Sequence, residues 1–120
     1  MQLVVKDNAL INASYTLSLV EQRIVLLAII EARETQKGVD TETFLEIHAQ
    51  HYADRFDISV KNAYAMLSEA SQALFNRQVT FMMIDEKRNK PEKRVVRWVS
   101  GVSYVDGSGI IKLRFAPEII

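Results

Sequence analysis

The chain has 120 residues, no cysteine and 15 Lys/Arg against 15 Asp/Glu, a formal net charge of zero. That length makes one domain, and an apolar fraction of 48% suffices for a core in a chain that hides roughly two-thirds of its unfolded surface. The composition leaves no disulfide framework and no thiolate metal site, and it fits a reducing, cytoplasmic setting.

The longest apolar run, Ile24–Ile30, is far too short to cross a bilayer, so no membrane partner is expected. Lys6 and Asp7 interrupt the first apolar residues where a signal peptide would need its core. Val4–Lys6 reads as a short strand and Asp7–Ala13 as a short helix capped by Asp7 or Asn8. Ser18 with Glu21 three residues on is a capping box. The helix behind it runs to about Glu34, and its apolar positions Val20, Ile24, Leu27, Ala28 and Ile30 cover more than one stripe, as in a central buried helix. Within it, Ile24–Ile30 is uncharged, rich in β-branched residues and free of proline, an aggregation hazard if unfolding exposes it. Thr35–Thr43, with Gly38, reads as a loop, and Phe44–Ile47 as a short strand.

A helix-turn-helix follows. Its first helix is Ala49–Phe56, its turn Asp57-Ile58-Ser59, and Ser59 caps a second helix over Val60–Phe75. Ala63, Leu67, Ala70 and Leu74 share one face of that second helix. Alternating strands then flank a tip at Asp85–Glu92, with Val79, Phe81 and Met83 on one side and the return strand running through Val95–Val105. Asp106-Gly107-Ser108-Gly109 is a turn and Ile110–Phe115 a last strand. The ending Ala116-Pro117-Glu118-Ile119-Ile120 reads as a cut at a domain boundary. Helix, helix, hairpin is the order of an α+β winged helix, an architecture met most often on DNA.

Charge is distributed unevenly. Residues 1–60 hold five Lys/Arg and nine Asp/Glu, a balance of −4, whereas residues 61–120 hold ten and six, a balance of +4. Lys87, Arg88, Lys90, Lys93, Arg94 and Arg97 face only Asp85, Glu86 and Glu92, so the hairpin is expected to rest on phosphates. On the second helix Lys61, Asn62, Ala65, Glu69 and Gln72 are the expected exposed positions. Asn62 or Gln72 could pair with an adenine edge, but Glu69 repels phosphates, so binding should be weak and mainly to the backbone. Both faces of the hairpin are partly apolar, which a sheet half in water would not show. Val95, Trp98, Val99, Val102, Tyr104 and Val105 are therefore candidates for a homodimer interface, with burial under the chain's own N-terminal residues as the alternative.

Little else offers chemistry. His48, His51 and Asp54 are three apart and could meet one metal ion only if all lay on one helix face; capping or surface histidines are the simpler reading, and no metal or cofactor is expected. Two residues between the histidines spoil the spacing of a DNA-nicking enzyme, no glycine-rich phosphate loop exists, and no nucleophile–base pair stands out, so the chain is not expected to be an enzyme.

The opening Val4-Val5-Lys6-Asp7-Asn8-Ala9-Leu10-Ile11-Asn12-Ala13-Ser14-Tyr15, the run Leu17–Ile29, the stretch Tyr52–Phe75 and Trp98-Val99-Ser100 together resemble the replication initiator proteins of iteron-containing plasmids, the RepA/RepB/RepE type. The resemblance is greatest to initiators of Acinetobacter-type plasmids and related small circular DNAs, and it covers essentially the whole chain. It implies the first of two winged-helix domains, one that dimerises and contacts the DNA backbone while a second domain reads the repeats. It also implies repression of the initiator's own promoter by dimers, initiation by monomers, and host replication proteins as further partners. A stand-alone winged-helix regulator and a structural dimerisation module are the alternatives.

Overall fold

Ser18 sets the entrance of the central helix: its Oγ accepts from the Glu21 amide at 3.1 Å while Glu21 Oε1 accepts from the Ser18 amide at 3.3 Å, a complete capping box. The computed structural model describes residues 2–36 and 42–119, with side chains from residue 8 onward. Along the chain come α1 (Gln2–Ser14), α2 (Leu19–Thr35), β1 (Leu45–His48), α3 (Ala49–Phe56), α4 (Val60–Asn76), β2 (Gln78–Asp85), β3 (Lys90–Arg97), β4 (Val99–Val105) and β5 (Ile110–Phe115), then a short 3-10 turn, Pro117–Ile119.

The helix-turn-helix forms where the sequence places it. α3 ends at Asp57, held left-handed at φ 55°, and Ser59 caps α4 by accepting from the Asn62 amide at 3.2 Å. α4 turns Ala63, Leu67, Ala70 and Leu74 into the core against Ile24, Ala28, Tyr52, Ile111 and Leu113. Two expectations fail at the N-terminus. Val4–Lys6 is helical, not extended, because α1 begins at Gln2 and absorbs both the proposed strand and the proposed short helix. The loop expected over Thr35–Thr43 begins after Thr35, and its residues 37–41, Gly38 among them, lie outside the described residues.

The larger correction concerns the hairpin. The return strand expected over Val95–Val105 is two strands belonging to two sheets. β2 and β3 pair only with each other among the described residues, whereas β4 pairs with β5 and β5 with β1, giving the order β1-β5-β4. The break is at Trp98 and Val99. Successive strand residues point to opposite faces, yet both of these are buried, so the chain must turn between them. The Ala116 amide holds the turn by donating to the Trp98 carbonyl at 3.0 Å.

The three-stranded sheet and its β4–β5 hairpin are thus the wing of the winged helix. β2–β3 is a separate arm inserted between α4 and the wing. Gly107 and Gly109, at φ 69° and 70°, make the wing tip, and the Gly109 carbonyl accepts the first amide of α3, that of Ala49, at 2.9 Å. The base of the arm is pinned twice. Arg97 Nη1 donates to the Phe75 carbonyl at 2.7 Å. Arg77 donates through Nε and Nη2 to the two carboxylate oxygens of buried Glu21, both at 3.0 Å. Burial opposes ionisation of Glu21, but the Arg77 and Ser18 hydrogen bonds outweigh it and hold the carboxyl below its usual range. α1 lies along β2, so the arm is covered on one side by the chain's own N-terminal helix. The molecule measures 53 × 26 × 22 Å.

Candidate nucleic-acid interface

The inserted arm carries six of the fifteen Lys/Arg. Its tip turns at Asn89, at φ 52°, with the Asn89 amide donating to the Asp85 carbonyl at 2.7 Å and Asp85 Oδ1 accepting from the Lys87 amide at 3.1 Å. The six basic residues expected to act together fall into two groups. Arg88 pairs with Asp85 at 2.8 Å, Arg94 pairs with Glu92 at 2.7 Å, and Arg97 lies over the Phe75 ring with its guanidinium on a helix carbonyl. Arg88 and Arg94 thus have carboxylate partners, whereas Arg97 is anchored at the base of the arm with its charge unpaired among the described residues. Lys87, Lys90 and Lys93 are exposed, and none has a carboxylate partner among the described residues.

Lys61 and Asn62 are exposed in the first turn of α4, with Ala65, Glu69 and Gln72 further along the same helix. α4 has 17 residues and β2 eight, joined through Arg77. At about 1.5 Å per helical residue and about 3.3 Å per strand residue, the helix start and the arm tip each lie about 25 Å along the chain from that joint. α4 packs on α2, α3, β4 and β5 and not along β2 or β3, so the start of α4 and the arm tip lie apart and the eight residues do not form one patch. The wing tip, Asp106-Gly107-Ser108-Gly109, holds one acid and no cation.

Register in the arm separates its two faces. Val79 is opposite Val96 and Phe81 opposite Arg94 on the inner face, where Val79 and Phe81 are buried. Thr80 is opposite Val95, Met82 opposite Lys93 and Ile84 opposite Pro91 on the outer face, where Met82, Ile84 and Val95 are 50%, 45% and 46% exposed. Of the six residues expected at a dimer interface, Val95 alone belongs to this open face. Trp98 and Val99 are core residues with almost no area for a partner, a consequence of the sheet change at that point. Val102 and Tyr104 pair with Leu113 and Ile111 in the other sheet, and Val105 pairs with Ile110. Met82 and Ile84, which alternate with Val79, Phe81 and Met83 and make the second face of the arm partly apolar, belong to this open face although they are not among the six.

The histidines make no metal centre in this arrangement. His48 Nε2 is 3.2 Å from Glu46 Oε1 and stacks on His51 with ring centroids 4.7 Å apart, but Asp54 instead accepts from Gln50 at 2.8 Å. No set of three metal-ligating side chains converges among the described residues. No helix among them is long and apolar enough to cross a membrane.

A helix-turn-helix closed by a three-stranded sheet and a hairpin wing defines a winged-helix domain. The family model described as "Initiator Replication protein, WH1" matches residues 3–120, and the chain belongs to that family. It is similar to the crystal structure of the WH1 domain of MSBI1.176, a replication protein isolated from a multiple sclerosis patient, at 44% identity and a TM-score of 0.90, covering 99% of this chain and 89% of that one. It shares the fold, at 19% identity and a TM-score of 0.67, with the Pi initiator protein solved in complex with iteron DNA, covering 89% of this chain and 44% of that one. No match is found among curated protein sequences.

Proposed function

We infer that this chain is the first winged-helix domain of a plasmid replication initiator, acting in the cytoplasm. It dimerises, adds backbone contacts to iteron or operator DNA, and has no enzymatic activity of its own. One observation carries the reading: the inserted β2–β3 arm has a tip of unpaired lysines and an open, partly apolar outer face on the same two strands. Lys87 and Lys90 at the tip supply sequence-independent attraction to phosphates. Lys61 and Asn62 at the start of α4 supply a modest second contact. Support for iteron DNA comes from the Pi initiator, which was solved on it.

The dimer reading rests on sheet physics. A two-stranded hairpin is marginal by itself, and both strand edges here lack a partner strand among the described residues. α1 covers one face only, so Met82, Ile84 and Val95 remain for a second copy. Dimers on this face would repress the initiator's own promoter, and monomers would start replication with host replication proteins.

Sedimentation of the chain alone, and with a short duplex at low and moderate salt, tests both parts. A dimer with weak, salt-sensitive binding is expected. A monomer that binds one sequence tightly would instead make it a stand-alone regulator, and a dimer indifferent to DNA at low salt would make it a structural module.

A further inference from the structure

On the side of α2 turned away from α4, an open groove of about 500 Å³ runs between α1, α2 and the Trp98 turn. Leu10 of α1, Val25 and Ile29 of α2, Trp98, Phe115 and Ile119 form its walls. Ile11 and Ile29 stand 53% and 41% exposed at its edge, apolar area that a soluble domain does not leave open without consequence. The size falls within the roughly 300–1,000 Å³ of small-ligand sites, and apolar walls with few polar groups are their usual make-up.

Polar groups at the groove are scarce and specific. Ser14 is committed, since its hydroxyl donates to the Ile11 carbonyl at 2.6 Å. Arg33, exposed on the last turn of α2, is the single charged residue of the lining among the described residues, and it has no carboxylate partner among them. The nearby Glu31 and Glu34 line a different pocket, beside His48 and His51. An apolar trough with one unneutralised guanidinium complements a molecule with an alkyl tail and one anionic end.

We propose that this groove binds a long-chain carboxylate, its alkyl tail along Val25 and Ile29 over the small exposed edge of Trp98 and its carboxylate on Arg33. The reading is independent of the DNA and dimer surfaces, which lie on the arm and on α4.

Trp98 is the chain's only tryptophan and it lines the groove, so its fluorescence reports occupancy directly. Titration with 11-bromoundecanoate, whose bromine quenches indole emission on contact, should give saturable quenching at one equivalent, below the concentration at which the acid forms micelles. Dodecanoate should reverse it, and shortening the competitor by two methylenes should weaken it about fifteenfold. The matching bromo-alcohol should bind about tenfold more weakly, for want of the charge-assisted pair. Arg33→Gln, an exposed change that removes no core contact, should erase the difference between acid and alcohol while leaving tail binding intact. Three results would overturn the proposal: no saturable quenching, equal binding of acid and alcohol by the unaltered chain, or quenching only by phosphatidylglycerol vesicles with brominated chains. The last would make the groove a membrane contact, not a site for a free amphiphile.

Discussion

Replacing Lys87, Lys90 and Lys93 together by alanine removes the arm's three lysines, none of which has a carboxylate partner among the described residues. Each phosphate neutralised on duplex DNA contributes about 0.9 to the slope of log K against log salt. With all three lysines on phosphates, as the monomer allows, the slope should flatten by about 2.7. Over a fourfold rise in salt, that difference is worth about 1.6 decades, so the variant should lose roughly 40-fold less affinity across the range than the parent. Arg88→Ala is the internal control. Its guanidinium already donates to Asp85 at 2.8 Å, so the change should move the slope by well under one phosphate equivalent. Fluorescence anisotropy of a labelled duplex, in two unrelated sequences and from 50 to 200 mM salt, reads both numbers, and the loss should be equal for the two sequences. An unchanged slope in the triple variant would remove the arm from the DNA footprint. A drop confined to one sequence would show that the lysines read bases, contrary to the electrostatic argument.

Three further outcomes are expected. Val95→Glu places a charge among Met82, Ile84 and Lys93 without touching the core, and should halve the mass in sedimentation with the circular dichroism unchanged; a mass that stays dimeric excludes the outer face. Arg77→Ala strands the buried Glu21 carboxylate and should lower the urea midpoint of unfolding, by less than a fully buried pair would because Arg77 is itself half exposed. Glu21 is held below its ordinary value of 4.5, so its contribution is present above that pH and is lost as pH falls through the lower folded value; the gap between parent and variant should narrow only in that acid range. Destabilisation that exposes Ile24–Ile30, whose Ile24 and Ala28 are fully buried in the native state, should produce seedable fibres that bind thioflavin, and a signal that stays flat after seeding would refute this.

The helix-turn-helix was legible because its signals are local. Ser59 and the spacing Ala63, Leu67, Ala70, Leu74 fix the cap and buried face of α4 within a few residues, as Ser18 with Glu21 does the cap of α2. The division of the return strand was not, because a strand that changes sheets keeps the composition of one that does not. Only the adjacent burial of Trp98 and Val99 betrays it, and burial is a property of the packed chain. The strand expected at Val4–Lys6 failed for the opposite reason: β-branched residues favour strands only weakly, and α1 continues through them along β2. Charge counting located the basic arm but could not separate paired arginines from unpaired lysines, since Asp85 and Glu92 were counted against the cluster as a whole.

If the arm serves both proposed roles, its position couples dimerisation to DNA binding. The wing tip holds Asp106 and no cation, and of the two cations on wing strand β5, Arg114 lies over Phe44 and donates to Ser100 at 3.1 Å while Lys112 has no carboxylate partner among the described residues. The inserted arm, with six cations against Asp85, Glu86 and Glu92, carries +3 of the second half's +4. Along that arm the three free lysines are not equivalent. Lys87 is in the turn and Lys90 is opposite Asp85 at its edge, whereas Lys93 is opposite Met82 on the outer face. A second copy seated on Met82, Ile84 and Val95 would cover Lys93 and leave Lys87 and Lys90 in water. In the dimer the triple substitution should then flatten the salt slope by about 1.8, with the full 2.7 appearing only once Val95→Glu has made the chain monomeric. Equal slopes in the two states would mean that the arm's apolar face and its charges act independently, and that dimerisation does not compete for the same lysine.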